Sequence, residues 1–253
     1  MADIARIVAL GASNLTRGFH TIVSTARAAW GPEVQLLAAL GHGRSYGSPS
    51  RVLFRVLPGI LESGLWQALE ALPLVPTRAL VTDVGNDILY GYSPEQILSW
   101  IREVINRLQR LTHDIVLTDL PLAGIERLSE SKFLIFRSIL FPCSRLSLKE
   151  VIEKVNQVNE GLSGLAAECS LKFYRLNPSW YGIDPIHIRW SLCRSAWQEI
   201  LNAPSLVGSE RGSLLEGLRL YFMAPERRRI FGVDQFTPQS GVILPKGGWV
   251  WLY

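Results

Sequence analysis

Apolar residues gather into five short runs, Ile4–Leu10, Val34–Leu40, Ala79–Val84, Ile115–Thr118 and Leu171–Leu176, each followed by glycine, aspartate or asparagine. Brief, dense runs of this kind read as strands buried on both faces. Between them the spacing becomes helical. Phe19, Ile22, Val23, Ala26 and Trp30 mark one face of a helix over 17–30, stopped at Gly31-Pro32. A helix is expected from about Arg51, divided at Pro58-Gly59, and a connection over 72–77. Ser93-Pro94-Glu95-Gln96 combines a cap, a proline at the first helical position and an acidic first turn. Ile97, Ile101, Val104, Ile105 and Leu108 continue that helix to about Leu111. Ser147 and Glu150 have capping-box spacing for a helix reaching Glu168. The apolar cluster inside 124–143 fits either a core helix or part of a lid. Residues 190–201 close the series as a helix.

Strands alternating with helices predict an α/β fold, with a mostly parallel five-stranded sheet covered on both faces. The pattern lapses after Leu201. This divides the chain into a catalytic-type domain, 1–201, and an irregular C-terminal extension, 202–253. The extension's aromatics, among them Tyr221, Phe222, Phe231, Phe236, Trp249, Trp251 and Tyr253, are expected to pack on the core as short strands or a hairpin.

Composition adds limits rather than a function. Among 253 residues, 48% are hydrophobic and 19% charged, the balance of a well-packed protein rather than a disordered one. The formal net charge of +4 comes from 26 Lys+Arg against 22 Asp+Glu, and its only tight cluster is Arg227-Arg228-Arg229. No nucleic-acid-binding module surrounds that cluster, so a solvated surface and no nucleic-acid partner are expected. No run approaches ~18 apolar residues, so no membrane span is expected. The N-terminus lacks the pattern of a secretory signal. Cys143, Cys169 and Cys193 fit neither a disulfide framework nor a zinc site. A cytoplasmic setting follows as the expectation; the oligomeric state is left open.

Chemistry enters at three strand ends. Gly11-Ala12-Ser13 follows the first run, Gly85-Asn86-Asp87 the third, and Asp184-Pro185-Ile186-His187 lies beyond the fifth. A serine hydroxyl needs a base to become a nucleophile, and histidine suits that role near neutral pH. Asp184, three residues before His187, can hold the imidazole in the tautomer that accepts the serine proton. Asn86 can donate its side-chain amide to a developing oxyanion, and Gly43 or Gly47 a backbone N–H. Each motif alone also reads as something plainer: Ser13 as a helix cap, Asn86-Asp87 and Asp184-Pro185 as turns.

Together these blocks resemble the SGNH (GDSL-type) hydrolase family over about residues 4–201. Gly11-Ala12-Ser13 matches its first block, Gly85-Asn86-Asp87 its third, and Asp184-Pro185-Ile186-His187 its fourth. The second block is matched loosely by Gly43 and Gly47, with Tyr46 at the usual glycine position, and Ala12 stands where the first block carries aspartate. The resemblance implies a three-layer, flavodoxin-like α/β/α sandwich and no metal or cofactor. It also implies hydrolysis of a small-molecule ester or thioester through an acyl-enzyme, with Ser13, Asp184 and His187 catalytic.

Two other readings share these residues. Gly43-Arg44-Ser45-Tyr46-Gly47 has the Gly-x-Ser-x-Gly form of an α/β-hydrolase nucleophile turn, which would make Ser45 the nucleophile. A degenerate member of the family could instead bind an acylated ligand without turnover.

Overall fold

All five expected strands lie in one sheet, and the expected alternation of layers is found. The computed structural model describes residues 4–142, 144–203, 214–245 and 247–253. Cys143 and residues 204–213 of the expected extension lie outside the described residues. Strands β1 (Arg6–Leu10), β2 (Gln35–Ala39), β5 (Thr77–Val81), β6 (Ile115–Thr118) and β7 (Lys172–Tyr174) pair in parallel in the order β2-β1-β5-β6-β7. Side chains along β1 alternate between two cores. Val8 and Leu10 enter one, and Ile7 and Ala9 the other.

The first core is roofed by helices α2 (Leu65–Ala71), α4 (Pro94–Gln109) and α7 (Leu148–Glu168), with the short α3 (Asn86–Leu89) and α5 (Leu122–Glu126) beside them. Helix α6 (Glu130–Leu140) buries Phe133 in this core and leaves Leu134, Ile135 and Ile139 exposed. The second core lies under α1 (Ser13–Trp30), α8 (Cys193–Ile200) and α9 (Leu214–Tyr221). Expected caps are in place: Ser93 accepts from Gln96 N–H, and Ser147 with Glu150 forms a full capping box. α1 and α8 approach closely because Gly18 has no side chain; a Cβ there would sit 1.9 Å from the Trp197 indole nitrogen.

The sheet is wider than five strands. β11 (Trp249–Leu252) joins it in parallel beside β2, and β10 (Val242–Ile243) adds an antiparallel edge. Val250, Trp251, Leu252 and Tyr253 are thereby buried, as expected of tail aromatics. Tyr221, Phe222, Phe231 and Phe236, by contrast, are exposed. A buried Arg27–Glu216 ion pair ties α9 to α1.

One expected element is replaced. Where a helix was expected from Arg51, the chain forms a hairpin, β3 (Ser50–Val52) and β4 (Arg55–Leu57). It pairs with a second hairpin, β8 (Arg227–Ile230) and β9 (Val233–Phe236), into a separate four-stranded sheet. Strand pairing with a segment some 170 residues away decides this conformation, which local spacing cannot reveal. The helix expected there begins only at Leu65.

Candidate active site

In the order β2-β1-β5 the chain moves to one side of β1 and then to the other. A crevice opens at such a reversal, at the carboxyl ends of β1 and β5. Ser13 follows β1 and begins α1, Asn86 follows β5 and begins α3, and both line the same cavity of about 70 Å³. Asn14 and Asp83 add to its polar side, and Leu120, Ile125, Val155 and Ile186 form an aliphatic side. Leu89, Ile125, Val151 and Ile186 also border a second, wholly apolar void of about 60 Å³ reaching Phe133, Phe136 and Phe141.

The loop carrying the fourth motif is bound to the residue after Ser13. Asn14 Nδ2 donates to Ile186 O at 2.8 Å, and Asn14 Oδ1 accepts from Ile188 N–H at 2.9 Å. These two bonds clasp the backbone on both sides of His187 and set that residue beside the start of α1. Asp184 Oδ2 lies 2.7 Å from His187 Nδ1. Its other oxygen accepts from the amides of Ile186 and His187, at 3.3 and 3.2 Å. Burial works to raise the Asp184 pKa. The His187 hydrogen bond and charge, with the two amides, outweigh it and hold the carboxyl below its ordinary value. No hydrogen bond joins Ser13 to His187 among the described residues; such contacts often tighten only when substrate binds.

Asp83 is the residue that sequence reasoning underrated. It occupies the left-handed region (φ 59°), which aspartate tolerates better than most residues. From there its carboxylate accepts from Ala12 N–H and Leu15 N–H, both at 3.0 Å, and from Asn14 Nδ2 at 2.9 Å. The carboxylate missing at Ala12 is thus supplied across the crevice from the end of β5. It caps α1 and fixes the turn that presents Ser13. Arg17 and His42 were also not singled out. Arg17 Nη1 stands 3.7 Å from Asp184 Oδ2 and lies over the Trp190 ring. His42 is pushed below the usual histidine range by burial, and then by the positive charges of Arg55, His187 and Arg17.

The second-block residues separate. Gly43 is left-handed (φ 67°), its carbonyl accepts from Tyr90 OH at 2.7 Å, and its N–H makes no hydrogen bond among the described residues. Gly47 packs flat on Trp100, and its N–H donates to Ser45 Oγ at 3.3 Å. Tyr46 is wholly buried. Its hydroxyl donates to Thr82 O at 2.6 Å and accepts from Thr82 N–H at 3.1 Å, tying the loop to the end of β5. Asn86 Nδ2 donates to Arg44 O at 3.2 Å, which leaves its second N–H uncommitted.

The alternative nucleophile lies in closed surroundings. Ser45 is fully buried; its hydroxyl donates to Asp87 and accepts from the amides of Gly47 and Ser48. Burial lifts the Asp87 carboxyl to about 6, against the hydrogen bonds from Ser45 and Tyr46 N–H. A raised carboxyl pKa means the folded state holds a proton that the unfolded state has lost. Stability from this group is therefore present below about pH 4 and is lost as pH rises through 6. Asp87→Asn should flatten the stability–pH curve over that window by up to about 3 kcal/mol. Urea melts of both proteins at pH 4.5 and 7.5 measure this, and unchanged slopes would refute it.

Comparison with known proteins agrees with this geometry at the level of fold. No sequence family and no curated relative matches the chain. Among solved structures it is similar to a carbohydrate acetylesterase from Sinorhizobium meliloti, at 15% identity and a TM-score of 0.51 over 78% of this chain and 97% of that one. It is also similar to an aryl esterase from M. smegmatis, at 12% identity and a TM-score of 0.51 over 79% of this chain and all of the other. The chain shares the fold of these two esterases.

Proposed function

We propose that the protein is an ester hydrolase that works through an acyl-enzyme on Ser13, with His187 as base and Asp184 as its orienting carboxylate. The observation that carries this reading is the Asn14 clasp. It holds the Asp184–His187 pair against the turn that presents Ser13, at the strand reversal where open α/β sheets bind ligands. His187 Nδ1–H donates to Asp184, which leaves Nε2 as the acceptor for the Ser13 proton. The hydroxyl oxygen then attacks the ester carbonyl. Proton return from Nε2 releases the alcohol, and water repeats the sequence to free the acid.

Charge building on the carbonyl oxygen is met by fixed donors. Ala12 and Leu15 amides are committed to Asp83, whereas the Ser13 amide, beside the reacting hydroxyl, makes no hydrogen bond among the described residues and can donate to the oxyanion. The second N–H of Asn86 and the unengaged N–H of Gly43 complete the set; the Gly47 amide is already spent on Ser45. The aliphatic side of the cavity beside Ser13 suits the acyl portion of the ester.

Asn86→Ala tests the proposal because the donor acts mainly on the transition state. Hydrolysis of p-nitrophenyl esters should show kcat reduced about 10²–10³-fold, with KM changed far less. Wild-type turnover in a folded variant would reduce Asn86 to a turn residue.

A further inference from the structure

The four-stranded sheet outside the main core takes no part in this chemistry, and its surface is unusual. Residues 50–57 and 227–236 hold five arginines, Arg51, Arg55, Arg227, Arg228 and Arg229, against one acid, Asp234. That excess of four equals the formal net charge of the entire chain, so the rest of the protein is formally neutral. Cross-strand register places Arg51, Val56 and Arg229 in one row on one face, with Arg227 and Phe236 in another row of the same face. Arg229 is paired with Asp234, and Arg227 leans on Glu226 at 3.7 Å and on the Phe236 ring.

The two hairpin turns meet at one end of this sheet and are apolar. Leu53 is 79% exposed, Phe54 54%, Phe231 73% and Val233 63%. Phe54 and Phe231 stack at 4.3 Å, and Phe231 N–H donates to Phe54 O, so the two turns form a single tip. Leu53 and Phe231 are also left-handed, at φ 54° and 49°, where bulky residues are strained and glycine is not. In water this tip is unfavourable both in backbone and in solvation. A surface that is apolar at its point and cationic behind it matches the interface of an anionic bilayer. The sheet adjoins the candidate site, since Arg55 donates to His42 O and Val52 packs on Gly43.

We infer that this sheet docks the protein on anionic phospholipid membranes, its Leu53–Phe54 and Phe231–Val233 turns entering the headgroup boundary and Arg51 and Arg227, which share one face, meeting the lipid charge. Docking is peripheral, as no helix among the described residues is long and apolar enough to cross a membrane. It needs no turnover, so it stands or falls independently of Ser13.

Co-sedimentation with sucrose-loaded vesicles tests it. The full chain should bind vesicles of 70% phosphatidylcholine and 30% phosphatidylglycerol at least tenfold more tightly than pure phosphatidylcholine, and lose most binding in 0.5 M NaCl. Arg51→Gln with Arg227→Gln should weaken binding about 25-fold, at about fivefold per arginine. Leu53→Gly with Phe231→Gly should weaken it more than tenfold while leaving the melting temperature equal or higher, because glycine relieves both strained positions. Undiminished vesicle binding by this glycine pair would overturn the inference. So would equal binding to neutral vesicles, or a preference for a DNA or RNA duplex that the arginine pair loses and the glycine pair retains.

Discussion

Replacing Ser13 by alanine should lower turnover of every ester the protein accepts by up to ~10⁶-fold, the scale seen when a triad loses its nucleophile. The folded state should hardly register the change. Ser13 is only partly buried, and the turn that carries it is fixed by Asp83 through neighbouring amides rather than through the Ser13 hydroxyl. A stability change within about 0.5 kcal/mol is the expectation for such a site. Steady-state kinetics beside a urea melt separate the two effects. Loss of activity with unfolding would speak only for the turn, whereas retained activity would remove Ser13 from the mechanism.

Asp184→Asn should cost about 10⁴-fold in turnover, for a reason visible in the hydrogen bonds. Asp184 uses one oxygen on the Ile186 and His187 amides and the other on His187 Nδ1. An asparagine that keeps its carbonyl on those amides must present NH₂ to the ring. Nδ1 then becomes the acceptor and Nε2 carries the proton, which is the tautomer unable to take a proton from Ser13. The half-exposed position and the loose contact with Arg17 leave little stability to lose. Turnover within tenfold of wild type would mean that another group orients His187.

Much of this was legible in the sequence because the main sheet is buried on both faces. Such strands are written as nearly unbroken apolar runs, so β1, β2, β5 and β6 stand out without knowledge of their partners, while β7, at the sheet edge with Lys172 exposed, is marked by its aromatics. The hairpin at Arg51 does not, because its apolar spacing fits a helix as well as a strand and β8 settles the matter from far along the chain. Tail aromatics divided for a similar reason. Trp251 and Tyr253 follow β11 into the sheet, while Phe231 and Phe236 ride on a two-sided ribbon with no core beneath them.

At the site, Ser13, Asn86, Asp184 and His187 were visible as residue types suited to acyl transfer at strand ends. Asp83 and Asn14 were not, since their role lies in long-range hydrogen bonds to amides and carbonyls. An asparagine after a strand looks like a turn residue until the loop it clasps is in place. The charge cluster was likewise read as Arg227-Arg228-Arg229 alone, because Arg51 and Arg55 join it only through the sheet.

The central claim is that Ser13 is the activated nucleophile. Labelling with a fluorophosphonate, followed by peptide mapping of the adduct, tests it without requiring the natural ester. The account predicts one adduct, on Ser13, with labelling lost in Ser13→Ala and strongly slowed in Asp184→Asn. An adduct on Ser45, or labelling undiminished in Ser13→Ala, would contradict it.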